Sequence, residues 1–490
     1  MPDLNFHEIN HINKLLQQQG SLKYIFDEFV RKTGVLLTQW NEYPSGDLWS
    51  RNQRVQQSIE QEMAVLHEKL NKNIENYTSD AWNRSHLKND ELVNGFIKNL
   101  AISQTVKEGM YARNAEALSV FIKRKVDGLS LSDNIWKITG NAKQNIEFYL
   151  ESGLSTGRSA ALISQDIRQL LQEPDRRFHR IRNADGKLVP SQPMKDYHPG
   201  QGVYRSSYKN ALRLAATNTN EMYRITDNER WNKLDFVIGF NVRRATVNYG
   251  PCPICDAMVG NYPKSYVFRG NHPFCICVAT PILMDEDAFI DALVNDDFSD
   301  VKYINNIPES GKKYITGLLE EKKISTKSYI LRDNGKFFDE SVKITGTGNL
   351  NILYGVDKTA SDYKNVFTTA KWFADKGHNV EILPRYHYND KRYNEVFGKL
   401  EGTKYYRKSP DLFIDGKFYE HEGFSHLNPK RNFSNMLSRG LQQSPRLIIE
   451  DCGLTDRYMK RIIFKRIQDG QVIKEIWKIT TDESTLVRLY

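Results

Sequence analysis

Four of the five cysteines in this 490-residue sequence, Cys252, Cys255, Cys275 and Cys277, fall in the short window 252–277, and Cys452 stands alone. A cluster this dense constrains the fold more than any other feature. Its form, C-x2-C followed by C-x-C with His272 between the pairs, is the ligand pattern of a tetrahedral metal clip. The C-x-C pair has the tighter bite, so His272 either replaces one of its thiolates or lies behind them. Zinc suits the donor set, because thiolate and imidazole are soft ligands and a structural site needs no redox chemistry. Disulfides in an extracellular particle, or unligated thiols, are the other states this spacing permits. A catalytic zinc would leave a position open to water, and neither H-E-x-x-H nor H-x-E with a partnering C-x-x-C accompanies the cluster.

The length implies two to four domains, each able to bury a core. With 39% hydrophobic and 26% charged residues the composition is that of a soluble globular protein. No apolar run approaches the ~18 residues needed to span a bilayer, so no membrane partner is expected. The first eight residues, MPDLNFHE, lack both a basic and an apolar signal segment, which points to a protein made and kept in a reducing cytoplasm. Lys and Arg number 69 against 60 for Asp and Glu, a net +9 that leans toward phosphate-rich or acidic partners.

Residues 1–150 are rich in Gln, Asn and Lys, with apolar residues at helical spacing. Ile59, Met63, Leu66 and Leu70 form one stripe, and Leu92, Phe96, Leu100, Ile102, Val106 and Met110 another. A helical array is expected. Ser152 to Ser159 reads as a turn and N-cap that opens a helix over 160–171, closed by Pro174. Asp175 to Arg182 is the densest basic cluster and reads as a solvated charge run before an irregular stretch, 183–202. A long helix is expected over 204–234, then a strand over 236–242 leading into the cysteine window.

A helix introduced by Gly153-Leu-Ser-Thr-Gly157, a later helix carrying Thr217-Asn-Thr-Asn-Glu221, a strand, and Cys252-x2-Cys255…His272-Pro-x-Cys275-x-Cys277 together resemble the head morphogenesis, or minor head protein, family of tailed bacteriophages, the Mu-type group. The likeness covers about residues 100–285. It implies an assembly role near the portal, with portal and capsid proteins as partners, in the host cytoplasm during assembly and then in the virion head.

From Asn349 the texture changes to alternating helices and strands, and this segment carries 24 basic against 18 acidic residues. Ser361 to Asp375 reads as a helix ending at Gly377, and 379–384 as a strand. Asp411-Leu-Phe-Ile-Asp415-Gly416-Lys417 to Glu422 reads as a hairpin about an Asp-Gly turn, with Leu412 and Ile414 on one face and Phe413 on the other. A polar helix over 430–437, a buried strand over 446–450, a helix over 457–466 with a solvated basic face, and strands over 472–479 and 486–489 follow. Asp411, Glu420 and residue 422 approach the P-D-x(n)-E-x-K pattern of metal-dependent nucleases, but Glu422 stands where that pattern has Lys. A divalent metal in this domain is therefore left open.

This C-terminal segment also resembles the RNase toxin domains of contact-dependent inhibition proteins and the related barnase/EndoU/colicin/RelE-like nuclease domains fused to phage head proteins. That resemblance implies a metal-free RNase, with RNA as substrate and an immunity protein as partner. His421 or Glu422 would be the base, Lys417 and Arg431 would bind phosphate, and Asn432 and Gln443 would position the substrate. Asp411 and Asp415 have a simpler turn-forming role, and His421 and His426 a simpler exposed one.

The expected layout is a mainly α region (1–150), a head-morphogenesis domain with a zinc-knuckle-like segment (151–285), a connector (286–345) and an α+β nuclease-like domain (346–490). The expected function is a phage minor head protein with an RNase-like effector. The alternative is a purely structural capsid-associated protein whose last domain binds nucleic acid or a capsid partner without catalysis.

Overall fold

A computed structural model of the chain describes residues 4–38, 53–126, 128–155, 165–167, 169, 171, 173–196, 206–245, 252–321, 323–324, 328–423, 429–480 and 485–490. The chain divides into two compact units, Met1–Gly311 and Lys312–Tyr490.

The first unit is built on long helices: α1 (Phe6–Thr38), α2 (Gln53–Ile97), α3 (Leu131–Ser155) and α4 (Ser207–Asn232). The stripe Ile59, Met63, Leu66 and Leu70 is buried as its spacing requires, and it packs with Leu22, Phe26, Ile135, Ile138, Ala211 and Ala215 in one core. The second stripe is interrupted. Helix α2 stops at Ile97, and a separate short helix, Gln104–Met110, begins after Ser103, whose hydroxyl accepts from Val106 N at 3.4 Å. Residues 152–155 do not form the expected turn, because α3 runs on through Ser155. Residues 156–159 and most of 160–171 lie outside the described residues. Pro174 opens a short helix, Pro174–Arg177, at a position where a missing N–H costs nothing. The end of the charge run, Arg180–Arg182, pairs antiparallel with Leu188–Pro190 of the stretch expected to be irregular, which also holds a helix, Gln192–Asp196.

Helix α4 is buried over most of its length although it is polar. Its hydrogen-bonding residues serve as packing surface: Thr219 Oγ1 donates to Gln18 (3.0 Å), Asn220 bonds His11 (2.8 Å), and Arg230 pairs with Asp90 (2.9 Å). Asp227 accepts from Lys88, Ser85 and Asn89 of α2. Removing one partner of such a buried network leaves a desolvated charge and is strongly destabilising. After α4 comes a three-stranded antiparallel sheet with β1 (Val237–Arg243) central, flanked by β2 (Gly260–Tyr262) and β3 (Val278–Leu283).

The second unit is an eight-stranded mixed sheet laid down in chain order: β4 (Glu340–Val342), β5 (Asn349–Ile352), β6 (Asn379–Ile382), β7 (Leu412–Ile414), β8 (Lys417–Glu422), β9 (Arg446–Ile449), β10 (Glu475–Ile479) and β11 (Leu486–Arg488). Residues 286–345 hold helices Glu286–Asn295 and Tyr329–Asn334 and contribute the edge strand β4. Helix α5 (Tyr363–Asp375) covers one face of the sheet, through Val366, Ala370 and Phe373 against Leu350, Val380, Ile382, Leu412 and Ile414. Helices α6 (Pro429–Gly440) and α7 (Asp456–Gln468) cover the other, against Leu447, Ile449 and Ile476. Parallel pairing of β8 with β9 requires a crossover, and α6 supplies it. The layout is α+β, with α5, β6, a short helix (Lys391–Phe397), β7, β8, α6 and β9 in that order at its centre.

Candidate metal clip and carboxylate row

In the first unit, Cys252 precedes the short helix Pro253–Ala257 that carries Cys255, and Cys277 immediately precedes β3. Between them the chain turns sharply. Gly270 has φ +112°, and a Cβ there would lie 2.3 Å from Arg224 Nη1 and 3.2 Å from Cys275 Cβ, so no side chain fits. Phe274, a bulky residue, sits at φ +63°, a strained conformation that the surrounding clip maintains. The result is two sets of three donor atoms, each lying within 4.8 Å of one another: Cys252, Cys255 and His272, and Cys255, Cys275 and Cys277. Cys255 belongs to both. Its Sγ is 3.1 Å from His272 Nε2 and 3.9 Å from Cys275 Sγ, far beyond the ~2.05 Å of a disulfide. The cluster could therefore hold a metal ion, and it brings together all five residues expected from sequence.

The electrostatics of the clip favour a cation. Hydrogen bonds from the Cys255 and Cys277 thiols, with the Arg224 guanidinium nearby, hold Cys275 well below the usual thiol range. Those same contacts push Cys255 and Cys277 up. One thiolate ringed by thiols can bind an ion when the remaining protons leave. Sequence reasoning did not find the residues behind the ligands. Arg224 donates to the carbonyls of Cys275 (2.7 Å), Cys277 (2.8 Å) and Arg269 (2.9 Å), and Asn271 Nδ2 lies 3.7 Å from Cys255 Sγ. Arg224 sits three residues past Glu221, and only its burial inside an otherwise polar helix distinguishes it.

In the second unit, the hairpin forms about Asp415 (φ +44°) and Gly416 (φ +80°), the left-handed pair that a two-residue turn requires. Alternation along β8 puts Phe418, Glu420 and Glu422 on the α6 face and Tyr419 and His421 on the α5 face. Asp411 precedes β7 and lies opposite Glu420. Its backbone N–H bonds the Glu420 carboxylate, and His421 N donates to Asp411 Oδ2 at 3.3 Å. Three acids thus share one region of the sheet. Asp411 and Glu422 are buried, each against an exposed guanidinium. Arg385 donates to Asp411 Oδ1 (2.9 Å) and to Asp362 Oδ2 (2.5 Å), and Arg439 of α6 donates to Glu422 Oε2 through Nε (3.0 Å). Their side chains are 58% and 67% exposed, so the cations form the open edge. A cleft of about 290 Å³, lined by Asp362, Tyr363, Leu383, Arg385 and Asp411, opens beside them.

Burial, and then the charges of Asp411 and Glu422, push Glu420 up to about 10, so it holds a proton at neutrality. Among the described residues its Oε2 has no hydrogen-bond partner. Asp411 is raised too, by burial that Arg385 opposes. Burial drives His421 down to about 4, and among the described residues neither ring nitrogen has a hydrogen-bond partner. The other expected residues are not brought to this row. Lys417 is exposed at the far end of β8, Arg431 is exposed and Asn432 half-buried in the first turn of α6, and Gln443 follows that helix with Oε1 buried and without a hydrogen-bond partner among the described residues. His426 lies outside the described residues. Arg439, Arg385 and Asp362 were not legible in sequence, because the row recruits them from a following helix and a preceding loop.

No family model, curated protein or solved structure matches this chain. What the two sites can do rests on their own geometry.

Proposed function

We propose that the chain is a head-assembly protein of a tailed phage, and that its second unit is a nuclease-like effector directed at RNA. The resemblance around the cysteine window supports the first part, with portal and capsid proteins as partners in the virion and an immunity protein guarding the producing cell. Zinc is the ion proposed for the clip, in a structural role, since the donors are thiolates and an imidazole.

The observation that carries the second part is the buried row of Asp411, Glu420 and Glu422, in which Asp411 and Glu422 each meet an exposed arginine. A divalent cation bound beside Glu420 would replace its proton and supply positive charge for phosphodiester hydrolysis. Asp411 and Glu420 would hold it. Glu422 takes the proton of the attacking water, and Arg385 and Arg439 neutralise the phosphate as negative charge builds on its oxygens. The lysine missing at 422 is thereby replaced by cations from neighbouring elements. This reading moves the base from His421 to Glu422, because strand alternation turns His421 away from Glu420 and Glu422, toward Asp362 and Arg385.

The test is cleavage of RNA, and separately of single-stranded DNA, by the full chain with Mg²⁺ or with EDTA. Cleavage of RNA that needs Mg²⁺ and is lost in Glu420→Gln is expected. Cleavage undiminished by EDTA overturns the cation, cleavage of DNA alone overturns the substrate, and no cleavage in any condition leaves the unit a binding module.

A further inference from the structure

Beyond the sheet, the chains leaving β6 and entering β7 stay side by side. The last paired strand residues are Ile382 and Leu412, and the pairing is prolonged by Leu383 N donating to the Asp411 carbonyl (2.9 Å) and by Ser409 Oγ donating to the Tyr386 carbonyl (2.9 Å). The same antiparallel register, carried outward, sets Tyr388 opposite Tyr406 and beside Arg407. The Arg407 guanidinium indeed lies 4.8 Å from the Tyr388 ring centroid and 5.9 Å from that of Tyr406. Arg385, which bonds Asp411, stands at the inner end of this two-chain arm, and Arg407 at its outer end.

Arg407 is the informative residue. It sits at φ +72°, in the left-handed region that glycine occupies without cost, yet the position carries a long cationic side chain. The turn is held shut around it: Lys408 N donates to the Tyr405 carbonyl (3.1 Å), and the Tyr393 hydroxyl donates to the Lys408 carbonyl (2.6 Å). Strain that neighbouring bonds maintain in this way marks a side chain whose direction matters. Arg407 is exposed, and among the described residues no carboxylate pairs with it. A guanidinium resting over ring faces keeps the N–H fork at its edge open, and that fork takes a phosphate through two hydrogen bonds.

We propose that this arm is a backbone clamp, in which Arg407 holds a phosphodiester of a single-stranded RNA away from the one that is cut. The identity of the cut phosphate, facing Arg385 and the carboxylate row, rests on the nuclease reading above; the clamp itself needs only an anionic strand. Arg407 lies four residues from Asp411, up to about 13 Å of extended chain, so the two ends of the arm address different phosphates. A dinucleotide has one phosphodiester and cannot occupy both ends, whereas a longer strand can. The arm therefore selects for length and not for base, since a phosphate contact carries no sequence information. Arg407 is a positioning residue: it fixes the strand and does not touch the reacting atoms.

Fluorescence anisotropy of the full chain in EDTA, with labelled uridine dinucleotide and octanucleotide as probes, tests the clamp without any cleavage. The octanucleotide is expected to bind more tightly. Arg407→Asn, which tolerates the left-handed backbone, should melt within about 2 °C of wild type and weaken the octanucleotide about tenfold, leaving the dinucleotide unchanged. Its plot of log affinity against log salt should be shallower by about 0.7, the loss of one phosphate contact on a single strand, while Arg407→Lys should keep the wild-type slope. No binding of the octanucleotide by wild type, an affinity and slope unchanged in Arg407→Asn, or an equal loss for both probes overturns the proposal. With Mg²⁺, Arg407→Asn should raise KM for the octanucleotide about tenfold and keep kcat within a few-fold. Binding that depends on Arg407 in a chain that cleaves nothing would overturn the nuclease reading and retain the clamp; cleavage indifferent to Arg407 would do the reverse.

Discussion

The imidazole of His272 donates through Nδ1 to the carbonyl of Pro273 at 2.6 Å and directs Nε2 to 3.3 Å from Cys252 Sγ and 3.1 Å from Cys255 Sγ. Fixing the second ring nitrogen in this way is how proteins prepare a histidine for a metal. Elemental analysis of the purified chain should find about one zinc. Cys255→Ser should abolish it, because Cys255 is common to both donor sets, while His272→Ala and Cys277→Ser should each retain part. Equal loss in all three would contradict the sharing of Cys255.

Arg224→Met keeps the bulk of the side chain and removes three hydrogen bonds to the clip backbone. We expect metal affinity to fall about 10- to 100-fold, the usual effect of losing an outer-shell partner. Competition with a coloured chelator measures this directly. An unchanged affinity would mean that the clip holds its shape without α4.

Glu420→Gln should lower RNA cleavage by about 100-fold or more. Its effect on stability should be opposite in sign. The native state keeps a proton on Glu420 up to about pH 10 that the unfolded chain releases near pH 4.5, so this site contributes its full stability below pH 4.5 and loses it as the pH rises toward 10. Glutamine has no proton to lose. Without divalent cation, the variant should therefore melt at the wild-type temperature near pH 4 and higher than wild type at pH 8, by about 3 °C or more. Mg²⁺ should raise the wild-type melting temperature at pH 8 and leave the variant's unchanged. A variant that melts lower than wild type at pH 8 would show that Glu420 is not strained there.

His421→Leu should preserve cleavage within a few-fold, because the imidazole lies on the α5 face. It should also change the acid limb of stability. A histidine held at about 4 instead of 6.5 contributes stability above pH 6.5 that is lost as the pH falls through 4. In the leucine variant that loss disappears, and denaturant titrations at pH 7 and pH 4.5 would show a smaller gap between them. Loss of cleavage by 100-fold would return the base to His421.

Local signals carried much of this fold. The Asp415-Gly416 turn, the termination of α5 before Gly377 and the buried stripe of α2 all follow from turn chemistry and periodicity, and lie where the sequence puts them. The break between Ile97 and Gln104 did not show, because the apolar spacing continues across it. At the sites, the ligands were visible as cysteines and acids at tight spacing. Their supports were not: Arg224, Arg385 and Arg439 look like ordinary charged residues until tertiary packing brings them against a carbonyl or a carboxylate. Strand alternation could have placed His421 opposite Glu420 and Glu422, yet a histidine between two acids invites a chemical reading that the pleat denies.

Because the eight strands of the second unit lie side by side in the order of their synthesis, each newly made segment finds its template in the one just before it. Growth by accretion of this kind keeps every strand pairing between neighbours in sequence and favours quick assembly. It also means that strand Lys417–Glu422 remains an unpaired border until Arg446–Ile449 and its crossover helix arrive, so the acids acquire Arg439 and their full enclosure late in translation. A chain cut short before that point would carry the residues of the centre without the centre itself.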